Sequence, residues 1–454
     1  MPVSVALFTR DLRVHDNPTL AATAAAAQGW VVPLFVLDEA ILVGPYNRPN
    51  RARFLSESLA DLDAALRTLG ACGLVVRRGD PATEAAAVVA ETGATQVHVS
   101  ADVSGFARRR QCRLRDRLTA DRVELVTHDE VVTVVAPHAL TTSDGEAFAV
   151  FSPYHRRWQQ QPIRRLVEPP RLQPLDVDGL ALPTQGDICP GATSPDAAKG
   201  GETPARTMLQ RWVEGPIGNY GGRGHDDLAS DGTSRLSPYL HFGCVSPVEV
   251  VRRAAGSPGA ANFVRQVAWR DFYAQLLAAH PQVVRDDYKP RGDRWRDDER
   301  AVQAWQDGRT GYPVVDAGMR QLRQEGWMHN RARLISGSFL TKTLYVDWRV
   351  GAQHFMDWLV DGDTASNTMN WQWIAGTGTD SRPSRVLNPL LQAKRYDPTG
   401  DYVRRYLPEL RSVEGPAVHQ PWKLPAKVRR TLDYPEPIVD LAEGRRRFLA
   451  ARKR

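Results

Sequence analysis

Three of the chain's twelve tryptophans, Trp358, Trp371 and Trp373, fall within residues 357–389, close to the run Asp361-Gly362-Asp363. Indoles serve stacking and redox chemistry, and two acids bracketing a glycine suit close approach to a polar ligand. Trp371 and Trp373 stand at i and i+2, so in a strand they share a face, whereas on a helix they diverge by roughly 200° and can serve two neighbouring environments. An aromatic core segment ending in a Gly-Thr-Gly loop fits the same residues. A second stretch runs Asn219-Tyr220-Gly221-Gly222-Arg223 and then Gly232-Thr233-Ser234-Arg235-Leu236-Ser237-Pro238. Hydroxyls, backbone N–H groups at a helix start and an Arg suit a phosphate or pyrophosphate. A plain N-cap by Thr233 or Ser234 is the alternative. In a third, Gln266, Trp269, Arg270 and Tyr273 share one helical face. An amide, an indole, a guanidinium and a phenol suit stacking and hydrogen bonding of a base, and an amphipathic helix with Trp at an inter-helix contact fits equally. In the fourth, Gly326 to Leu334, His329 has no second His or Cys nearby, so no metal is expected, and Asn330 and Leu334 share a face.

These stretches must be positioned by elements that the hydropathy pattern locates. Apolar β-rich runs at 3–8, 31–37, 74–77, 96–100 and 123–127 alternate with helical periods at 19–28, 51–69, 82–92 and 106–120. Strands alternating with helices predict an α/β, doubly wound parallel-sheet domain over 1–130. No Gly-x-Gly-x-x-Gly follows the first strand, so a dinucleotide of the standard kind is not expected there. Prolines punctuate 131–201, which reads as a long linker over the surface. Helical periods dominate 202–440, an all-α domain holding most of the tryptophans, and 441–454 reads as a basic tail with Arg445-Arg446-Arg447 and Arg452-Lys453-Arg454.

The hydrophobic share of 42% and charged share of 24% are those of a soluble globular protein, and no apolar run approaches the roughly 20 residues that span a bilayer. The first residues read as a strand rather than a signal peptide. Cys72, Cys112, Cys189 and Cys244 are scattered and form no Cys-x-x-Cys, which predicts neither disulfide framework nor zinc site and points to the cytoplasm. Net charge is +7, and only seven of the 59 basic Lys and Arg residues are Lys. A polyanionic partner suits this balance, as does plain compositional bias.

Taken in order, Phe8-Thr9-Arg10-Asp11-Leu12-Arg13, Thr233–Ser237, Trp269-Arg270, Gly311-Tyr312-Pro313, Trp327-Met328-His329-Asn330-Arg331 and Asp361 through Trp373 resemble the photolyase/cryptochrome family. The likeness is greatest to bacterial class I deoxyribodipyrimidine photolyases and runs to about Pro421-Trp422. The resemblance implies an all-α FAD-binding domain and blue-light repair of cyclobutane pyrimidine dimers in UV-damaged DNA, by electron transfer from excited reduced FAD to a flipped-out dimer. It implies FAD contacts from Tyr220, Thr233, Ser234, Arg235, Leu236, Ser237, Arg270, Asn330, Arg333, Asp361, Gly362 and Asp363, with Asn367 beside flavin N5. It further implies an electron relay of Trp371, Trp348 and Trp305 from the surface, and a dimer held between Trp269 and Trp373. Gln266, Tyr273, Asn330, Arg331, Leu334, Arg385 and Gln392 match DNA- or lesion-side positions. A monomer is expected, because DNA must reach the pocket.

The sequence departs from the family pattern in three places. Gln266 replaces a dimer-contacting Glu, which predicts weaker lesion stabilisation or an altered substrate preference, and Leu334 replaces a pocket-lining Met, a milder change in shape. At the antenna position, Gly105-Phe106 replaces the Asn-Glu pair of folate-type enzymes, which disfavours methenyltetrahydrofolate. Arg53 and Asp102 resemble contacts for an 8-hydroxy-deazaflavin, but Ser104 and His241 replace the usual acid and Lys, so a deazaflavin or an empty site is expected. Two rival activities follow from the same family. A (6-4) photolyase uses a His pair, whereas His329 is followed by Asn330. A signalling cryptochrome often carries a long tail, whereas about thirty residues follow Trp422.

Overall fold

The computed structural model describes residues 2–221, 225–230 and 232–452; Gly222 and Arg223 of the second stretch and Lys453 and Arg454 of the basic end lie outside them. Two compact units make up the chain. One comprises Met1–Thr193, Ala198–Gly218 and Ser234–Pro281, the other Ser194–Ala197, Asn219–Thr233 and Gln282–Arg454.

The first unit is built on five strands, β1 (Ser4–Phe8), β2 (Val31–Asp38), β3 (Val75–Gly79), β4 (Gln96–Ser100) and β5 (Glu124–His128). All neighbours pair in parallel, in the order β3-β2-β1-β4-β5. Helices cover the sheet, so β1 and β2 are buried along their whole length and read as continuous apolar runs. The helices begin where the chain offers short polar caps. Asn17, Asp80 and Ser104 accept from backbone N–H groups at the starts of the helices Pro18–Ala26, Pro81–Thr92 and Gly105–Ala120. Strand order reverses between β1 and β4, which opens a crevice at their carboxyl ends, where Arg10 and Asp102 form an ion pair at 3.3 Å.

The segment that reads as a surface linker also packs. Val131, Val134, Val135 and Phe148 are buried, and a short helix, Phe151–Trp158, buries Phe151, Tyr154 and Trp158. Its anchor is Asp271, on the long helix Ala260–Ala279. Asp271 accepts from the N–H groups of Val134 (3.0 Å) and Val135 (3.1 Å) and from Trp158 Nε1 (2.9 Å). Gln275 exchanges two hydrogen bonds with the Phe148 backbone. These bonds explain why residues 234–281, which read as helical-domain sequence, belong to the same compact unit as the sheet. Burial pushes the Asp271 carboxyl up to about 6, against the bonds from Trp158 and the Arg270 charge.

The second unit is helical. Its core gathers Val315, Leu322, Met328, Ile335, Phe339 and Trp371 with many others. The helices that matter below are Glu299–Gln306, Pro313–Glu325, Asn330–Ser338, Trp348–Trp358, Thr364–Ala375, Pro389–Tyr396 and Leu441–Ala451, with a π-helical turn at Phe339–Leu344. The last of these helices occupies the stretch that reads as a tail, and its Phe448 is wholly buried. No helix among the described residues is long and apolar enough to cross a membrane.

Candidate flavin and DNA site

In the second unit the candidate residues converge on the helix Thr364–Ala375. Asp363 caps it by accepting from Ser366 N–H at 2.8 Å. Just before it, Asp361 is buried and pairs through Oδ2 with Arg333 Nη2 at 2.8 Å. Arg333 is itself fixed by donating from Nε to Met328 O at 2.8 Å. The other carboxylate oxygen, Oδ1, is buried without a protein hydrogen bond among the described residues. A buried acceptor of this kind calls for a donor that the protein does not supply, from water or from a bound group. Asn367 donates from Nδ2 to Ala352 O at 3.0 Å, which leaves its amide oxygen as a further acceptor on the same helix. This donor-seeking pair suits the N–H-bearing ring of a flavin.

The segment is helical, so its two indoles diverge. Trp371 is buried and meets Phe355 edge-on at 4.8 Å and Trp305 at 6.1 Å between ring centroids. Gly351 makes room for it, since a Cβ there would lie 2.2 Å from the indole. Trp373 is partly exposed and carries the Arg385 guanidinium 5.3 Å above its ring. Between them Gln372 is wholly buried. It accepts from Tyr288 N–H at 2.7 Å and donates to the carbonyls of Val283 (2.7 Å) and Asp286 (3.0 Å). Nothing in its spacing marks it, although a lone amide between two indoles is a polar residue where an amphipathic helix has none to spare.

The expected relay residues are all buried. Trp305 has no exposed surface and donates to Ser336 O at 3.0 Å, and Trp348 donates to Asp287 Oδ1 at 2.9 Å beneath the Arg349 guanidinium. Trp295, passed over in the sequence, is partly exposed and lies 5.1 Å from the ring of Tyr345.

Around these, Arg331 pairs with Asp226 at 2.5 Å and lies 5.0 Å over the Tyr396 ring, so its charge is already partly met. Tyr220 packs against His225, and burial, with the Asp226 charge adding, pushes its phenol up to about 12. Asn330 is exposed at the start of its helix, capped by His329, while Leu334 and Gln392 are half-buried. Gly362 is buried and Thr233 half-buried. Among the described residues no group of three or more His, Cys, Asp or Glu could hold a metal ion.

In the first unit, Trp269 is half-buried and stacks on Phe151, with centroids 3.7 Å apart and planes 8° from parallel. Phe151 is a partner the sequence does not announce, lying more than a hundred residues away. The Arg265 guanidinium stands 5.4 Å from the centre of the Phe151 ring. Gln266 is exposed, and Tyr273 is buried beside Trp269 at 5.4 Å. Arg270 is occupied by the carbonyls of Val132 and Leu240 (3.0 Å). At Ser234–Ser237 the backbone turns through a left-handed Arg235 (φ 51°), and the helix Ser237–Phe242 has no side-chain cap, so the capping alternative is not realised. Where the resemblance expects an antenna, burial opposes ionisation of Asp102, but Arg10 and Arg110 outweigh it and hold the carboxyl below its usual range. Arg53 pairs with Glu57, and Ser104 caps the helix that Gly105 and Phe106 begin.

A family model described as the FAD binding domain of DNA photolyase matches residues 263–454, and one described as DNA photolyase matches residues 4–173. A deoxyribodipyrimidine photo-lyase of Streptomyces griseus is 54% identical over 456 residues, covering 100% of this chain and 99% of that protein. The chain belongs to the DNA photolyase family. Among solved structures, this photolyase-family chain is similar to a class III photolyase of Agrobacterium tumefaciens (34% identity, 99% and 97% of the two chains covered, TM-score 0.92). A cryptochrome of Synechocystis sp. is also similar (28% identity, 99% of each chain, TM-score 0.90). The family contains both, so fold alone separates neither the photolyase classes nor repair from photoreception.

The Asp361–Arg333 pair gives a direct test of the flavin site. Removing one partner of a buried pair costs about 3 kcal/mol or more, because it strands the other charge. Arg333→Leu is expected to lose most of its FAD on gel filtration, read as flavin absorbance per chain, and Arg333→Leu combined with Asp361→Asn to recover part of the lost thermal stability. Wild-type flavin content in Arg333→Leu contradicts the assignment.

Proposed function

We propose that the protein is a deoxyribodipyrimidine photo-lyase that uses blue light to split cyclobutane pyrimidine dimers in DNA. The observation that carries this reading is end-to-end identity of 54% with a relative of that name. Bound reduced FAD supplies the light-driven electron that opens the cyclobutane ring. The chain's own residues prepare for that event. Asp361 and Arg333 orient the flavin, Asn367 presents an amide oxygen, and Tyr220, Thr233 to Ser237, Arg270 and Asn330 meet the rest of the cofactor. Trp269 and Trp373 each offer an indole face to a base of the extruded dimer. Extrusion costs a few kcal/mol, least for a damaged base. Gln266 offers the dimer a hydrogen bond but no acidic proton, and Leu334, Arg331, Arg385, Gln392 and Tyr273 shape or charge the DNA side. Phosphate contacts by these arginines make binding salt-dependent.

The same reading includes a cytoplasmic monomer, in keeping with the scattered cysteines and the need for DNA to reach the pocket. Of the two candidate antennae, 8-hydroxy-deazaflavin suits the site better than methenyltetrahydrofolate, since Gly105 and Phe106 offer neither amide nor carboxylate. A second reading, a cryptochrome photoreceptor, is favoured by the likeness to the Synechocystis protein. Asn367, which resembles the residue that photolyases place beside flavin N5, weighs for repair. His329 followed by Asn330 weighs against a (6-4) photolyase.

The test is repair. Reduced protein is mixed with a dimer-containing oligonucleotide, and dimer content is compared in blue light and in darkness. Loss of dimer in light alone is expected; a fully reduced flavoprotein that leaves the dimer intact would sink the photolyase reading.

Electron supply is the second test. We infer that Trp305, Trp348 and Trp371 form the relay that photoreduces the flavin. Trp348→Phe is then expected to slow flavin photoreduction by an external donor while sparing repair by chemically reduced protein. Full photoreduction in Trp348→Phe contradicts the relay.

A further inference from the structure

Within the second unit a buried cation, Lys342, has no part in the chemistry above. It lies in the turn Phe339–Leu344 with 2% of its surface exposed. Its Nζ donates to the carbonyls of Pro383 (2.9 Å) and Arg385 (2.8 Å) and stands 5.5 Å from the centre of the Phe448 ring. A buried ammonium persists only where such partners compensate its lost hydration.

The same ring holds a second cation. The Arg452 guanidinium lies 5.2 Å from the centre of Phe448, pairs with Asp293 at 2.6 Å, and donates to Ala375 O at 2.9 Å and Gly376 O at 3.5 Å. Those carbonyls end the helix that bears Trp373, where a cation is favoured by the helix dipole. Both ends of residues 376–385 are thus tied to one phenyl ring. Two glycines allow the close packing this needs. A Cβ on Gly376 (φ 81°) would lie 2.5 Å from Pro383 O, and one on Gly444, in the helix of Phe448, would lie 2.6 Å from Thr343 O. What the tie holds in place is Arg385 over Trp373.

We propose that Lys342, with Phe448 and Arg452, is a positioning device that fixes Arg385 over Trp373 before DNA arrives. The proposal rests on the photolyase reading. Its physical basis is preorganisation: a segment ordered in advance does not lose that freedom on binding. Lys342 acts on the dimer only through Arg385 and Trp373. Burial pushes its amine down to about 7, helped by Arg452 and Arg385 and opposed by Asp380 and Asp293. The ammonium is therefore present below that pH and lost above it, and the tie weakens as pH rises.

The experiment measures binding of full-length, FAD-loaded protein to a dimer-containing oligonucleotide and to its undamaged counterpart, with flavin photoreduction followed in parallel. Lys342→Met is expected to bind the damaged strand on the order of ten-fold more weakly, the loss of one charge-assisted tie. Its affinity for undamaged DNA is expected to fall much less, and its photoreduction rate to match the wild type. The wild-type preference for dimer is expected to decline as pH rises through about 7, and the Lys342→Met profile to lack that decline. Wild-type preference in the variant, equal weakening on both strands, or the same pH decline in both proteins would each overturn the proposal. A wild-type protein that shows no preference for dimer removes the photolyase reading on which it stands. Should Lys342→Met not fold, Arg452→Met tests the other tie and is expected to lower the preference by several-fold; an unchanged preference overturns the proposal.

Discussion

One buried amide sets the geometry on which the candidate site depends. The Gln372 side chain makes three hydrogen bonds to the backbone of residues 283–288, and so fixes the rotation of the helix Thr364–Ala375 about its axis. With that rotation fixed, Trp371 must face the core and Trp373 must face away from it. The helix start, capped by Asp363, then presents Asn367 one turn before the indoles. On the proposed reading, one helix serves the flavin, the relay and the lesion side because its turns are assigned in advance. Each of the three bonds contributes about 1 kcal/mol, but leaving Gln372 without them would strand a buried amide, which costs more than the bonds supply.

The arginine content finds a structural explanation alongside its electrostatic one. Arg333 orients a carboxylate, Arg331 meets Asp226, and Arg452 meets Asp293 and two helix-terminal carbonyls. A planar fork with several fixed donors suits such multiple partners better than an ammonium does. Part of the basic composition that suggests a polyanionic partner is therefore spent inside the protein. Exposed Arg385 remains among those turned toward solvent beside an indole.

Periodicity and caps made the sheet legible. Each of the five strands lies within one or two residues of its apolar run, and the parallel order follows from the alternation with helices. The divergence of Trp371 and Trp373 was legible for the same reason, since it needs only the helical period. Partners distant in sequence were not. Asp271 holds Trp158 from 113 residues away, and the stacking of Phe151 on Trp269 is likewise silent in local pattern. The burial of Trp305 was hidden because an indole reads alike in a core and at a surface. The buried tie at Lys342 was hidden because a single Lys in an apolar run is most simply a solvated end.

The account's central claim is that the two faces of the helix Thr364–Ala375 carry separate tasks, electron supply on one and lesion contact on the other. The measurement that tests it most directly is made on Trp371→Phe, comparing photoreduction of the oxidised flavin with repair by chemically reduced protein. The account predicts that photoreduction is blocked while the pre-reduced protein repairs dimers with the wild-type yield. Normal photoreduction, or a parallel loss of both, would contradict it.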